Sequence, residues 1–420
     1  MIHLLRAVAF VCFFASGLTL IRPKSGWGRL VLFIPKLFAG ARIVIIAFVG
    51  GAAATAGWLL FQDPVSFGLG VIAVAVGFRH VARLIRRSRI IDRAIDPPGG
   101  FQKGLLENML PYPWVGVWKT RPNSLLDRDV NIGRNTQTGD SILADVWSPP
   151  EKVEPSGLGL VFLHGSGWHY ADKDFGTRHF FSHIAHQGHL IVDVAYSLAP
   201  KVDIFGMVAD VKRAVIWVKQ HSSDLQVYDD RIVLMGGSAG GHLALLAAYT
   251  PVDPRFNPEG SLTRPSVCGV ISYYGPTDLK AQYDRFVEWP ALTGEGFIER
   301  RFMGYLENRT GFEVIPVHNL IPKLLGGNPM EVPEVYELAS PCEYVSEACP
   351  PTLLLQGSHD FSGVAPQVIQ LHKSLLRAGA ISYLLELPDT EHGFDLYKPR
   401  WSPAAQSATF VLERFLASVA

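Results

Sequence analysis

The first residue in this chain whose neighbours imply a chemistry is a serine set between glycines. Gly236-Gly237-Ser238-Ala239-Gly240-Gly241-His242 follows an apolar run, Arg231–Met235, that reads as a short buried strand. It precedes Leu243–Tyr249, a good helix former. Gly236, Ser238 and Gly240 make a G-x-S-x-G pattern, and a strand, sharp turn and helix is the context that lifts its serine above a sheet edge. Glycines leave room where strand and helix backbones nearly touch, and they tolerate strained dihedrals. Taken alone, the stretch also fits a Gly/Ser-rich surface loop.

A serine hydroxyl is a poor nucleophile until a base takes its proton. His392, in Asp389-Thr-Glu-His392-Gly-Phe394, follows the strand expected at Ser382–Leu387. Asp360 ends Leu353-Leu-Leu-Gln-Gly357-Ser-His-Asp360, the carboxyl end of the strand before it. Both then reach the sheet edge that carries Ser238, where open α/β sheets place their sites. Three such residues at three strand ends are hard to obtain by accident, whereas a lone loop histidine is usually a surface residue. Asp389 and Asp395 flank His392 on its own loop and are weaker candidates for its far nitrogen.

The reaction also needs preorganised donors for a tetrahedral oxyanion, chiefly backbone N–H groups. His164-Gly165-Ser166-Gly167-Trp168 directly follows the apolar run Leu158–Leu163, where one half of such a hole belongs, and the Ala239 N–H supplies the other. Neither a G-x-x-x-x-G-K-S/T loop nor a G-x-G-x-x-G pattern is present, so a nucleotide reading is weak.

The elements that must position these residues form an α/β pattern starting after about residue 125. Strands are expected at Ser141–Trp147, Leu158–Leu163, Leu190–Ala195, Arg231–Met235, Val267–Tyr273, Thr352–Leu355 and Ser382–Leu387. Apolar residues at 207, 208, 211, 215 and 218 share one helical face, and a last helix is expected at Ala404–Leu416. Continuous apolar strands alternating with helices call for a mainly parallel sheet covered on both faces. Residues from about 279 to 337 hold no clear strand and are rich in aromatics (Tyr283, Phe286, Trp289, Phe297, Phe302, Tyr305, Phe312). They read as a cap insertion or as a decorating subdomain with its own small core.

The first ninety-five residues differ in kind. Leu4–Ile21, Ile43–Gln62 and Val65–Phe78 are long apolar runs, and they read as a membrane anchor of two or three helices. Small residues such as Gly50-Gly51-Ala-Ala-Ala are usual where membrane helices pack. Arg22, Lys24, Arg29, Lys36 and Arg42 lie between the first two runs, and Arg79, Arg83, Arg86, Arg87 and Arg89 follow the third. The link between the second and third carries Asp63 and no base, so both basic flanks face the cytosol, and the catalytic part with them. The sequon Asn308-Arg309-Thr310 would matter only in a lumen. Residues 96–124, with Pro97-Pro98-Gly99-Gly100, read as a linker.

With 420 residues, 38 acidic and 38 basic side chains, nothing suggests nucleic-acid binding by the molecule as a whole. Four cysteines (Cys12, Cys268, Cys342, Cys349) are too few for a disulfide framework and show no zinc-type spacing. They fit a reducing compartment, with one Cys342–Cys349 loop left open.

From about residue 125 to 420 the chain resembles the α/β-hydrolase superfamily. More narrowly it is similar to the hormone-sensitive-lipase-like esterases, including arylacetamide-deacetylase-like and prenylcysteine-methylesterase-like enzymes. The matching stretches are His164-Gly-Ser-Gly-Trp168, Ala195-Tyr-Ser-Leu-Ala-Pro200, Gly236-Gly-Ser-Ala-Gly-Gly241, Gly357-Ser-His-Asp360 and Glu391-His-Gly-Phe394. The resemblance implies Ser238 as nucleophile, Asp360 as acid and His392 as base, with the N–H groups of Ser166, Gly167 and Ala239 as oxyanion hole. His164, Gly165, Gly236 and Gly240 support those motifs. Two positions depart from the family: Ser166 stands where glycine is usual, and Ser197 replaces the arginine of a Tyr-Arg-Leu-Ala-Pro motif. The expectation is a membrane-anchored serine hydrolase acting on carboxylic esters, hydrophobic or lipid ones, without metal or organic cofactor. An amidase or formamidase on the same residues, or a non-catalytic ligand-binding protein, are the alternatives. A transporter is poorly supported, because three short spans without an intramembrane charged pair make no pathway.

Overall fold

The computed structural model describes residues 1–23, 26–95, 109–116, 124–174, 176–258, 264–288, 315–396 and 401–420. Four helices come first: α1 (Ile2–Leu18), α2 (Gly26–Ala41), α3 (Ile43–Phe61) and α4 (Pro64–Ile95). The helices α3 and α4 are long and apolar enough to cross a bilayer. They pack closely because small residues face each other: a methyl group added at Gly70 would lie 2.2 Å from the Gly50 carbonyl oxygen. The helix α1 packs against both. At the turn between α3 and α4, Asp63 accepts from Arg6 of α1 at 2.8 Å, so a base does meet this link, from a different helix.

The helix α2 falls in the stretch that the sequence reading treats as a basic flank. Its Lys36 side chain is buried rather than solvated. The helix α4 also outruns its apolar half, continuing through the arginines to Ile95.

The strands β1 (Leu125–Arg134), β2 (Ser141–Ser148), β3 (Gly157–Leu163), β4 (Leu190–Ala195), β5 (Val227–Gly237), β6 (Gly269–Tyr273), β7 (Thr352–Gly357) and β8 (Ser382–Leu387) form one sheet. Its order is β1-β2-β4-β3-β5-β6-β7-β8. Strand β2 pairs antiparallel with both β1 and β4, and every pair from β4 through β3, β5, β6 and β7 to β8 is parallel. The central strands β3, β6 and β7 are buried along their whole length, and β5 from Ile232 onward, as a sheet covered on both faces requires. Covering it are α5 (Arg178–Ala185), α6 (Ile204–Gln220), α7 (Ala239–Tyr249), α8 (Leu279–Val287), α9 (Leu320–Leu325), α10 (Pro333–Leu338), α11 (Ala365–Arg377) and α12 (Pro403–Val419).

The helical region and the sheet are joined. The helix α4 packs on the edge strand β8 and on α12, where Arg414 Nε meets Asp92 at 2.6 Å. Residues 109–116, within the expected linker, lie against α12: Leu110 N–H donates to Glu413 at 2.7 Å and Val115 N–H to Gln406 at 2.9 Å. Of the expected cap insertion, the described parts (279–288 and 315–337) hold the helices α8, α9 and α10 and no strand. Trp289, Phe297, Phe302, Tyr305, Phe312, the sequon and Pro97-Pro98-Gly99-Gly100 lie outside the described residues. All four cysteines are free thiols, which closes the Cys342–Cys349 question.

Candidate active site

Ser238 ends β5 and opens α7 with φ 54° and ψ −119°, a conformation that an L-residue holds only when its surroundings impose it. The surroundings are tight. A methyl group on Gly240 would lie 2.1 Å from the Leu163 carbonyl oxygen, so the helix can approach β3 only as glycine. The Ser238 N–H is held by the Tyr273 carbonyl at 2.8 Å, and the Ser238 carbonyl accepts from His242 N–H at 3.0 Å. The result is a fixed hydroxyl at the carboxyl edge of the sheet.

His392 and Asp360 meet it there. Ser238 Oγ lies 3.1 Å from His392 Nε2, and His392 Nδ1 lies 2.8 Å from Asp360 Oδ2. Asp360 is buried and saturated with donors: Ser362 N–H at 2.9 Å and its hydroxyl at 2.6 Å reach one oxygen, Gln356 Nε2 at 3.0 Å the other. Burial pushes the Asp360 carboxyl up, but His392 and these donors outweigh it, and its pKa lies below the ordinary value. The flanking acids are engaged elsewhere. Asp389 takes Arg79 at 3.1 Å and Arg83 at 2.6 Å, while Asp395 accepts from the Tyr274 hydroxyl.

The loop after β3 abuts the elbow: a methyl group on Gly165 would lie 3.4 Å from Ser238 Cβ. Ser166 adopts φ 106° and Gly167 φ 67°, both in the region glycine prefers. Ser166 therefore takes the glycine-like backbone that its position demands, and its hydroxyl donates to the Tyr170 carbonyl. Among the described residues, no hydrogen bond engages the N–H groups of Ser166, Gly167 or Ala239.

Residues of the motif stretches brace the site, whereas Tyr274, Phe33 and Phe361 carried no chemical signal in the sequence. Trp168 Nε1 donates to His242 Nδ1 at 3.2 Å, joining the loop to α7. The Tyr196 hydroxyl donates to the His164 carbonyl at 2.9 Å, and Ala199 N–H to the Trp168 carbonyl at 3.1 Å, so Ala195–Pro200 braces the same loop. Burial lowers the His164 pKa. Tyr274 packs on His392 with ring centroids 4.2 Å apart. A cavity of about 250 Å³ opens over Ser238 and His392, lined by Phe33, Phe162, Ser166, Tyr274, Phe361 and Leu396 among others. Such an arrangement has the parts that acyl transfer needs: a hydroxyl, an imidazole, a buried carboxylate and N–H groups converge on one apolar space.

Known proteins resemble this chain in sequence and in fold. The BD-FAE family model matches residues 144–375, which include Ser238 and Asp360 and stop short of His392. Over 317 residues the chain is 31% identical to "Esterase LipC" of Mycobacterium tuberculosis, covering 73% of this chain and 71% of that one. It is 28% identical over 307 residues to "Probable carboxylic ester hydrolase LipM" of the same organism, covering 70% and 61%. The chain thus spans less than two thirds of the length of LipM. Among solved structures, Thermogutta terrifontis esterase 2 phosphonylated by cyclosarin aligns with TM-score 0.50 and 20% identity, over 69% of this chain and 92% of that one. That likeness concerns the fold. With the family match spanning more than half of its length, the chain belongs to the BD-FAE family, within the α/β-hydrolase class.

Proposed function

We propose that this chain is a membrane-anchored serine hydrolase that cleaves carboxylic esters through Ser238, His392 and Asp360. The observation that carries the reading is the unbroken line from Ser238 Oγ through His392 to Asp360, at 3.1 and 2.8 Å, on a serine held at φ 54°. In this reading Ser238 attacks the ester carbonyl while His392 Nε2 accepts its proton and then gives it to the leaving alcohol. Asp360 holds the imidazole with Nδ1–H toward it and stabilises the imidazolium. The N–H groups of Ser166, Gly167 and Ala239 receive the oxyanion, and water releases the acyl group by the reverse steps. The esterase names of LipC and LipM support ester over amide chemistry.

Anchoring rests on α3 and α4 as a spanning hairpin, with α1 packed beside them and the basic flanks toward the cytosol. The apolar lining of the cavity favours hydrophobic esters. The test is fluorophosphonate labelling of the full chain in detergent, as wild type, Ser238→Ala and His392→Ala, followed by an ester panel. Labelling of the wild type alone supports the assignment. Wild-type-like labelling or turnover in Ser238→Ala overturns it.

A further inference from the structure

The space over Ser238 is not built by the sheet and its covering helices alone. Phe33, on α2, lines it beside Phe361 and Leu396. The Phe33 ring lies 4.2 Å from that of Phe361, centroid to centroid, and Phe361 meets the His392 ring edge-on at 5.4 Å. A volume of about 250 Å³ is small for a ligand site, so one aromatic ring decides much of what fits.

The helix α2 is tied to the catalytic loop from the same side. Residues three apart share a helix face, and three residues after Phe33 the Lys36 ammonium pairs with the carboxylate of Glu391, the residue immediately before His392. Both side chains are almost wholly buried, at 1% and 4% exposed. A buried ion pair persists only where surrounding structure holds both partners in good geometry, so α2 and the loop are fixed relative to each other. From α4, Arg79 and Arg83 grip Asp389 at the start of the same loop.

The position of Phe33 relative to the reacting atoms follows. The leaving alcohol must sit beside His392 Nε2 to receive its proton, and Phe33 reaches that imidazole through Phe361. We propose that Phe33 bounds the pocket for the alcohol part of the ester, restricting it to small groups, and that the Lys36–Glu391 pair holds this wall in place. The inference rests on the reading of Ser238 as an ester-cleaving nucleophile. It makes the N-terminal helical region a component of substrate selection as well as an anchor.

The test uses the full-length protein in detergent, with acid release followed by pH-stat titration. One series holds the acyl group as acetate and lengthens the alcohol from methyl to decyl; the other holds the alcohol as methyl and lengthens the acyl chain. Phe33→Ala should raise kcat/KM for decyl relative to methyl acetate by about tenfold or more, the scale of a ring-sized change in an apolar pocket. The acyl series should change much less than the alcohol series, so that the difference between the two series reads the alcohol side. Phe33→Leu, a gentler change, should move the ratio in the same direction. Lys36→Met should loosen the same wall and shift the same ratio, and Lys36→Arg should restore it. An active wild type whose alcohol ratio is unmoved in both Phe33 variants overturns this inference while leaving the esterase reading intact. A shift confined to the acyl series overturns it equally. A wild type that neither labels at Ser238 nor cleaves any ester overturns both.

Discussion

Trp168 Nε1 donates to Nδ1 of His242 across 3.2 Å, and the other nitrogen of that ring lies 2.7 Å from the Ala339 carbonyl. The indole can only donate, so the imidazole carries its proton on Nε2 and gives it to Ala339. Burial lowers the His242 pKa to about 4, which keeps the ring neutral and able to accept. One hydrogen bond thereby joins the loop of Ser166 and Gly167 to the helix that begins at Ala239. Those are the two segments whose N–H groups are proposed to receive the oxyanion.

Trp168→Phe keeps most of the ring and removes the donor, leaving a buried acceptor unpaired. The expected loss of stability is about 1–3 kcal/mol. If the bond also sets the spacing of the oxyanion donors, kcat on a short ester should fall roughly tenfold to a hundredfold with KM little changed. Thermal melts and steady-state kinetics separate the two effects. A destabilised variant with wild-type kcat would confine the bond to folding.

Ser166 holds a backbone that glycine takes without strain, at φ 106°. Ser166→Gly removes that strain and also the hydroxyl bond to the Tyr170 carbonyl, two effects of about 1 kcal/mol and opposite sign. The backbone N–H survives the change. Kinetics of the glycine variant should therefore stay within a few-fold of wild type. A drop of about a hundredfold would assign the hydroxyl a part in the reaction that its present partner does not suggest.

Asp360→Asn keeps the shape of the side chain and loses the charge that, in the proposed mechanism, fixes the His392 tautomer. A fall in kcat of roughly 10⁴-fold is expected, with the fold retained. The stability consequence has a defined sign. The folded pKa of Asp360 lies below its ordinary value of 3.8, so the carboxylate stabilises the fold above about pH 4. That contribution is lost as pH falls through the depressed value. Melting curves of wild type and variant should accordingly converge only on the acid side. Parallel curves from pH 3 to 8 would contradict the charge network around Asp360.

Much of this site could be read in the residues themselves, for a physical reason. The glycines around Ser238, the strand ends before Asp360 and His392, and the Gly-rich loop after β3 are local requirements, so local sequence records them. The strands Leu190–Ala195 and Ser382–Leu387 match their expected limits because each is a short apolar run between breakers. What sequence could not disclose is long-range pairing of ordinary residues. Nothing local to Lys36 points to Glu391, 355 residues away, and a lysine between two apolar runs reads as a solvated flank. Helix α2 escaped notice for the same reason: Pro35 and scattered basic residues mask a helix whose buried contacts lie on distant elements. The edge strand β1 was missed because its polar, partly exposed residues carry no apolar run.

The Lys36–Glu391 pair has a stability signature of its own. Burial pushes the Glu391 carboxyl up to about 7, even with Lys36 and His392 acting to lower it. A folded pKa raised above the ordinary 4.5 means that the folded state holds the proton more firmly than the unfolded chain. The fold therefore loses stability as pH rises from about 4.5 through about 7, and the loss is constant above that. Lys36→Met removes the counter-ion and leaves a buried carboxylate alone, a change expected to cost about 3–5 kcal/mol where Glu391 is ionised. The deficit should be largest at pH 8 and should shrink toward pH 5, where protonation relieves it. The double variant Lys36→Met/Glu391→Leu replaces both charges by apolar groups and should recover most of the loss, because neither charge is then left unpaired. Thermal melts of the wild type and both variants across that pH range decide the matter. A Lys36→Met deficit that is independent of pH, or one that the double variant fails to relieve, would show that the helix is held by its packing and that the ion pair contributes little.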